Sequence, residues 1–150
     1  MDNTFDKMFY LEGALIGGID ESGVSDIAGP LIAACVILPK IDLKKDDLRI
    51  FEIDDCKRIP KRIRKRQAEL IWETAVAIGI GEVNPAEFDY LGSVKARQIA
   101  MIRSIVACKS TASGKLTQPD FLLVDGSFPI PVDIKQTSIP DCDQKSLCVA

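Results

Sequence analysis

Four acidic residues of this chain border apolar segments, where an unpaired carboxylate is costly: Asp20, Glu21, Asp125 and Asp143. Asp20 and Glu21 end one apolar run, and Asp125 ends another. For the first pair two interpretations stay open, a solvated surface turn or a metal site. Clustered carboxylates repel one another unless cations neutralise them. Two divalent ions bound there could hold the attacking water and the leaving oxygen of a phosphodiester.

The chain contains no histidine. This absence excludes Ser-His-Asp and Cys-His catalysis, and it excludes imidazole metal ligands. If the protein is an enzyme, the expected agents are carboxylates with Mg²⁺ or Mn²⁺, since these hard cations prefer oxygen ligands.

Composition sets further bounds. A chain of 150 residues suits one domain over residues 1–150, and the formal net charge of −3 gives no overall footprint for nucleic acid. No run of eighteen apolar residues exists, so we expect no membrane contact. Five cysteines without a CxxC pair, and an acidic N-terminus unlike a signal peptide, predict a cytoplasmic protein with reduced thiols, and we expect a monomer.

Strands and helices alternate in the sequence, which predicts an α/β fold. Apolar runs bounded by Gly and Pro predict five strands, at about 14–20, 31–38, 75–83, 121–124 and 132–139. Helical spacing predicts helices at about 60–74, 85–92 and 94–109, and a helix start near Asp143. Residues 1–12 are expected to form a lead-in and 42–55 a polar connection. Strand ends in an open sheet converge on one edge, which would gather the four acids there.

A basic cluster precedes and opens the helix at 60–74. Its members are Lys57, Arg58, Lys61, Arg62, Arg64, Lys65 and Arg66. A solvated helix face and a grip on a phosphate backbone are both consistent with it. The next long helix is expected to face inward through Ala96, Ile99, Ile102, Ile105 and Val106.

Ordered motifs make the chain similar to one family. GIDESGVSDIAGPLIAACVILP, which begins at Gly18, resembles the opening of bacterial type 2 ribonucleases H (ribonuclease HII), whose pattern is close to G-I/V-D-E-A-G-R-G-P-L-A-G-P. DCKRI at Asp55 stands where the family has D-S-K-K-L. LLVDG includes Asp125, and DQKS at Asp143 stands where the family has G-D-x-K-S. The blocks keep their order over nearly the whole chain.

This resemblance implies a ribonuclease H fold with a five-stranded mixed sheet flanked by helices. It implies Mg²⁺- or Mn²⁺-dependent cleavage, with two metal ions, of RNA in RNA–DNA hybrids and of ribonucleotides embedded in DNA, leaving 3′-hydroxyl and 5′-phosphate ends. Asp20, Glu21, Asp125 and Asp143 match the four catalytic, metal-binding carboxylates of the family. The positions that match nucleic-acid contacts are Gly23, Val24, Ser25, Lys57, Arg58, Lys145 and Ser146.

The chain departs from the family at three places. Gly23-Val24-Ser25 replaces G-R-G, so a guanidinium that can bind phosphate is lost at Val24 and a Cβ is gained at Ser25. Cys56 and Cys142 replace a serine and a glycine. The family continues with a C-terminal helical region that we expect residues 1–150 to lack.

Two functions other than catalysis are also consistent with parts of the sequence. One is a catalytically weak or inactive ribonuclease H-like protein that still binds nucleic acid, which the altered G-R-G motif favours. The other is a phosphoacceptor signalling domain, which also has paired acids after one strand and an aspartate ending a later strand. The wide separation of Glu21 from Asp125 argues against that domain.

Overall fold

The computed structural model describes Phe5, Phe9 and residues 13–24, 29–40, 53–54 and 57–150. Most of the expected lead-in over 1–12 and of the polar connection over 42–55 lies outside the described residues, as do Ser25 and Cys56.

A mixed sheet is the centre of the described fold. Its strands are β1 (Ile16–Ser22), β2 (Leu31–Ile37), β3 (Ala77–Val83), β4 (Lys109–Ser110), β5 (Phe121–Asp125) and β6 (Lys135–Ile139), in the spatial order β4-β3-β2-β1-β5-β6. β1, β2 and β3 form an antiparallel meander, and β5 and β6 run parallel to β1. The predicted α/β class is confirmed. The expected five strands become six, because Lys109 and Ser110 pair with the start of β3.

Helices cover both faces of this sheet. They are α1 (Lys61–Thr74), α2 (Pro85–Leu91) and α3 (Ser93–Ala107), and a 3₁₀ turn follows at Cys142–Gln144. Successive strand residues point to opposite faces. Accordingly Ala77 packs in the cluster that holds α3, while Ile78 packs in the cluster that holds Leu70 of α1. Among the described residues, none of the helices has the length and apolar character that a membrane crossing requires.

Small residues let α3 approach the sheet closely. A Cβ on Gly79 would overlap the carbonyl oxygen of Ser104, and one on Gly81 would overlap that of Ala100. The buried face of α3 is therefore built on the spacing of Ala96, Ala100 and Ser104, each of which is fully buried. Val106 was expected to face inward, but that prediction is wrong.

Val106 is instead 59% exposed, because the close packing of Ala96, Ala100 and Ser104 on the sheet turns position 106 away from it. Ile99 and Ile102 are partly buried at the edges of the stripe, and Ile105 is buried as expected.

The last strand begins later than the sequence predicts. β6 starts at Lys135 rather than near 132, because the side chain of Gln136 binds the preceding loop. Its Oε1 accepts a hydrogen bond from the Ile130 amide, and its Nε2 donates to the Ile130 carbonyl, both at 2.8 Å. This side chain satisfies the backbone of Ile130, as a strand partner would otherwise do.

The segment after β6 packs firmly against the sheet. Terminal turns often fray, which would expose the apolar residues there. This segment is instead only 2–5% exposed at Leu147, Cys148 and Val149. Gly18 of β1 permits this packing, because a Cβ there would overlap the Cys148 carbonyl. The turn that carries Asp143 is thus held down by a buried apolar segment.

α2 begins with a capping box. The Asn84 side chain accepts from the Glu87 amide at 2.9 Å, and Glu87 accepts from the Asn84 amide at 3.1 Å. The Arg103 guanidinium also binds Glu87 and lowers the pKa of that carboxyl to about 2. We expect Asn84→Ala to lower the free energy of unfolding by about 1 kcal/mol, the usual loss for a helix cap. Urea denaturation measures this change, and the exposed substitution Lys95→Ala on α3 is its control.

Candidate active site

Asp20 and Asp125 lie side by side at one edge of the sheet. The parallel register of β1 and β5 pairs Ile19 with Val124, so the next residue of each strand is one of these aspartates. Both side chains leave their strands on the same face, opposite the one that α3 covers. The sheet thus brings together two acids that are far apart in the sequence.

The environment of Asp20 favours its neutral form. Burial raises the pKa of Asp20 from 3.8 to about 7, although the Glu21 amide donates to its Oδ1 at 2.7 Å and lowers it. The negative charges of Asp125, Glu21 and Asp143 raise the pKa further. Each of the other three predicted carboxylates therefore lies close enough to Asp20 to act on it electrostatically.

Glu21 points to the opposite face of β1, toward α3. Its Oε1 lies 2.7 Å from Nη2 of Arg97, and its side chain is 9% exposed. The other oxygen, Oε2, is buried without a hydrogen-bond partner. A buried carboxylate oxygen without a donor is costly, which makes this atom a candidate ligand for a cation.

Asp143 reaches the site from the C-terminal turn. Its Oδ2 lies 3.1 Å from Nζ of Lys57, and its side chain is 5% exposed. The turn is tied to Asp125, whose Oδ1 accepts a hydrogen bond from the Cys142 amide at 2.7 Å. Asp141, with φ of 54°, makes the tight bend before the turn. One backbone hydrogen bond therefore couples the positions of the third and fourth carboxylates.

The tripeptide that replaces G-R-G lies just beyond β1. Gly23 has φ of 104°, and a Cβ there would come 2.8 Å from the Pro30 carbonyl, so this position requires glycine. Val24 packs against the core. Ser25 is outside the described residues. The glycine of the tripeptide is thus fixed by the packing of this turn against Pro30.

The remaining candidate contacts differ in exposure. Lys57 and Arg58 are exposed, and Arg58 lies 3.4 Å from Asp54. Lys145 is exposed and donates to the Pro140 carbonyl at 2.9 Å. Ser146 is fully buried, and its amide donates to the Cys142 carbonyl. That serine is placed to support the turn of Asp143, so a direct contact with a duplex is the weakest of these predictions.

No motif in the sequence points to Arg97. It lies one residue after the buried Ala96, and helical spacing alone assigns such a position to a solvated flank. Arg97 and Asp125 line one cavity of about 140 Å³ between α3 and the loop that follows β5. Phe128, which is mostly exposed, stands at the same cavity.

The site suits a hard divalent cation by its chemistry. It offers carboxylate oxygens, a buried Glu21 oxygen without a hydrogen-bond partner, and Asp20, whose pKa is raised by burial and by neighbouring acids. Within the described part of the chain, no three acidic or cysteine side chains are gathered closely enough to hold a metal ion. Arg97 and Lys57 instead pair with two of the four acids.

Solved structures share this architecture. The ribonuclease H2 of Pyrococcus horikoshii matches with a TM-score of 0.70 and 16% identity, over 90% of this chain and 66% of that one. The ribonuclease HII of Archaeoglobus fulgidus, solved in complex with PCNA, matches at 0.66 and 20%, over 90% and 67%. Bst-ribonuclease HIII in complex with Mn²⁺ matches at 0.60 and 16%, over 93% and 50%. The fold is therefore of the ribonuclease H class, as predicted.

Within the ribonuclease H class, the sequence is similar to a ribonuclease HII. The chain is 33% identical over 147 residues to the ribonuclease HII of Lactobacillus delbrueckii subsp. bulgaricus. The matched region covers 98% of this chain and 52% of that protein. No protein-family model matches the chain. The predicted resemblance to ribonuclease HII is confirmed as a similarity: the chain is similar to that curated protein and spans about half of its length.

Proposed function

We propose that this protein is a metal-dependent endonuclease that hydrolyses the RNA strand of RNA–DNA hybrids, including ribonucleotides embedded in DNA, and leaves 3′-hydroxyl and 5′-phosphate ends. The placement of Asp20 beside Asp125 by the β1–β5 register carries the proposal. Kinship with ribonuclease HII supports it. The absence of histidine agrees with it, because in-line hydrolysis on metal ions needs no imidazole.

Asp20, Glu21, Asp125 and Asp143 are the residues that would hold Mg²⁺ or Mn²⁺, two ions in the arrangement we favour. Such ions supply an activated water and neutralise charge at the leaving oxygen. The protein itself contributes a buried edge of the sheet, which keeps the Asp20 carboxylate in place through the Glu21 amide. The Cys142 amide does the same for Asp125.

The nucleic acid would lie across this edge. Gly23 lies just beyond β1, and Lys57, Arg58 and Lys145 are exposed cations, of which Lys57 pairs with Asp143. Val24 and Ser25 occupy the same tripeptide, and Ser146 supports the turn beneath. A hybrid duplex is read by shape, phosphates and 2′-hydroxyls, which such a set can contact without base specificity.

The proposal is tested on two labelled duplexes, an RNA–DNA hybrid and a DNA duplex that holds one ribonucleotide. With Mg²⁺ or Mn²⁺ we expect the hybrid to be cut, and a chelator to stop the reaction. Incision beside the single ribonucleotide would show that the Gly23-Val24-Ser25 tripeptide recognises the junction. Absence of cleavage of both duplexes in both metals contradicts the proposal.

A second candidate function is hybrid binding with weak or absent cleavage. The pairing of Glu21 with Arg97 and of Asp143 with Lys57 favours it, since both acids are already engaged by cations of the chain. Retardation of the hybrid in a gel without cleavage in either metal would identify this function. A monomer in the cytoplasm remains our expectation for both candidates.

A further inference from the structure

Arg97 and Glu21 form an ion pair with unusual geometry. Nη2 of Arg97 lies 2.7 Å from Oε1 of Glu21, yet Nε of the arginine and Oε2 of the glutamate are both buried without a hydrogen-bond partner. An arginine and a carboxylate in their best geometry form two parallel hydrogen bonds. This pair leaves one donor and one acceptor unmatched, in a place where unmatched groups are costly.

The same helix provides a contrasting pair. Arg103 contacts Glu87 through two nitrogens, with Nη1 3.0 Å from Oε2 and Nη2 2.7 Å from Oε1. Both partners are partly exposed, and both carboxylate oxygens are satisfied. Arg103 therefore anchors α2 to α3, whereas the pairing of Arg97 is incomplete and lies at the carboxylate site.

Space is available for Arg97 to leave Glu21. Its side chain is 38% exposed and lines the cavity of about 140 Å³ that Asp125, Gly126 and Phe128 share. This cavity is open space beside the arginine side chain. Departure would leave Glu21 with two unneutralised oxygens at the edge of the sheet.

We propose that Arg97 is an exchangeable counter-ion of Glu21, which a divalent cation must displace in order to bind at this carboxylate. Arg97 is then a positioning residue that sets the affinity of the site for metal. The pair keeps one oxygen of Glu21 engaged by a cation of the chain itself. This inference rests on the proposed function, because it assumes that Glu21 binds metal.

Calorimetric titration with Mg²⁺ and Mn²⁺, in the absence of nucleic acid, tests the proposal. We expect Arg97→Gln to bind metal about tenfold more tightly than the unchanged protein, which is the effect of removing one competing charged hydrogen bond of ordinary strength. Arg97→Lys keeps the charge and should bind metal less tightly than Arg97→Gln. Arg103→Gln is the matched control, since it breaks an arginine–glutamate pair on the same helix, and its metal affinity should be unchanged.

An unchanged or weaker affinity in Arg97→Gln overturns the inference and leaves the proposed function standing. Failure of the unchanged protein and of Arg97→Gln to bind either metal overturns both. A measurement on the unchanged protein covers the case in which the variant does not fold. The Nε–H resonance of Arg97 should shift when Mg²⁺ is added, and a resonance that does not respond contradicts displacement.

Discussion

Asp20→Asn is expected to abolish metal-dependent cleavage while leaving the fold intact. Asparagine keeps the size of the side chain and can still accept the hydrogen bond from the Glu21 amide. It lacks the charge that a divalent cation needs. Metal ions supply several kcal/mol of charge stabilisation, and about 1.4 kcal/mol corresponds to a tenfold change in rate, so we expect a loss of about a thousandfold.

The same substitution should stabilise the metal-free protein. Because burial and neighbouring acids raise the pKa of Asp20 from 3.8 to about 7, the folded state favours the neutral carboxyl. The stability that the protonated Asp20 carboxyl gives the folded state is fully present below pH 4 and is lost as the pH rises through about 7. The asparagine does not titrate. The free energy of unfolding of Asp20→Asn should therefore equal that of the unchanged protein at pH 4 and exceed it by on the order of 2 kcal/mol at pH 8, with partial contact of Asp20 with solvent taken into account.

Cleavage of the hybrid and thermal melting in a chelator measure the two effects. Asp89→Asn is the control, because Asp89 is an exposed residue of α2. Cleavage by Asp20→Asn at the rate of the unchanged protein would refute the assignment of Asp20 to the metal site. A lower melting temperature at pH 8 would show that the carboxylate stabilises the fold, contrary to its raised pKa.

The sequence was informative where local rules decide the structure. Apolar runs placed the strands that carry Asp20 and Asp125, and the helix predicted at about 85–92 is present as α2. The predicted convergence of the acids rests on a general property of α/β sheets rather than on any one motif, and it stays a prediction. The strand and helix predictions succeeded because burial on both faces and helix capping leave clear patterns in the chain.

Other features depend on tertiary contacts and leave no local pattern. The burial of Ser104 and the exposure of Val106 follow from the glycines of β3, which determine how α3 approaches the sheet. The late start of β6 depends on the side chain of Gln136. The pairing of Arg97 with Glu21 joins two elements that only the fold brings together.

Gly18→Ala is expected to damage both stability and catalysis. Its Cβ would overlap the Cys148 carbonyl and would press on the Val149 amide, which are backbone atoms that cannot rotate away. The buried segment after Asp143 would have to move. We expect the free energy of unfolding to fall by about 3 kcal/mol. Cleavage per folded molecule should fall about a hundredfold, since displacement of a catalytic group by about 1 Å has that effect.

Gly79→Ala separates these two effects. A Cβ on Gly79 would overlap backbone of Ser104 and Cys108 at the far end of α3, so the loss of stability should be similar. Asp143 does not depend on that contact, and the activity of the folded fraction should be retained. Urea denaturation gives the stabilities, and cleavage of the hybrid below the unfolding transition gives the activities. Equal loss of activity in both variants would mean that the segment packed on Gly18 contributes only to stability, whereas a selective loss in Gly18→Ala would make this glycine part of the arrangement that positions the fourth carboxylate.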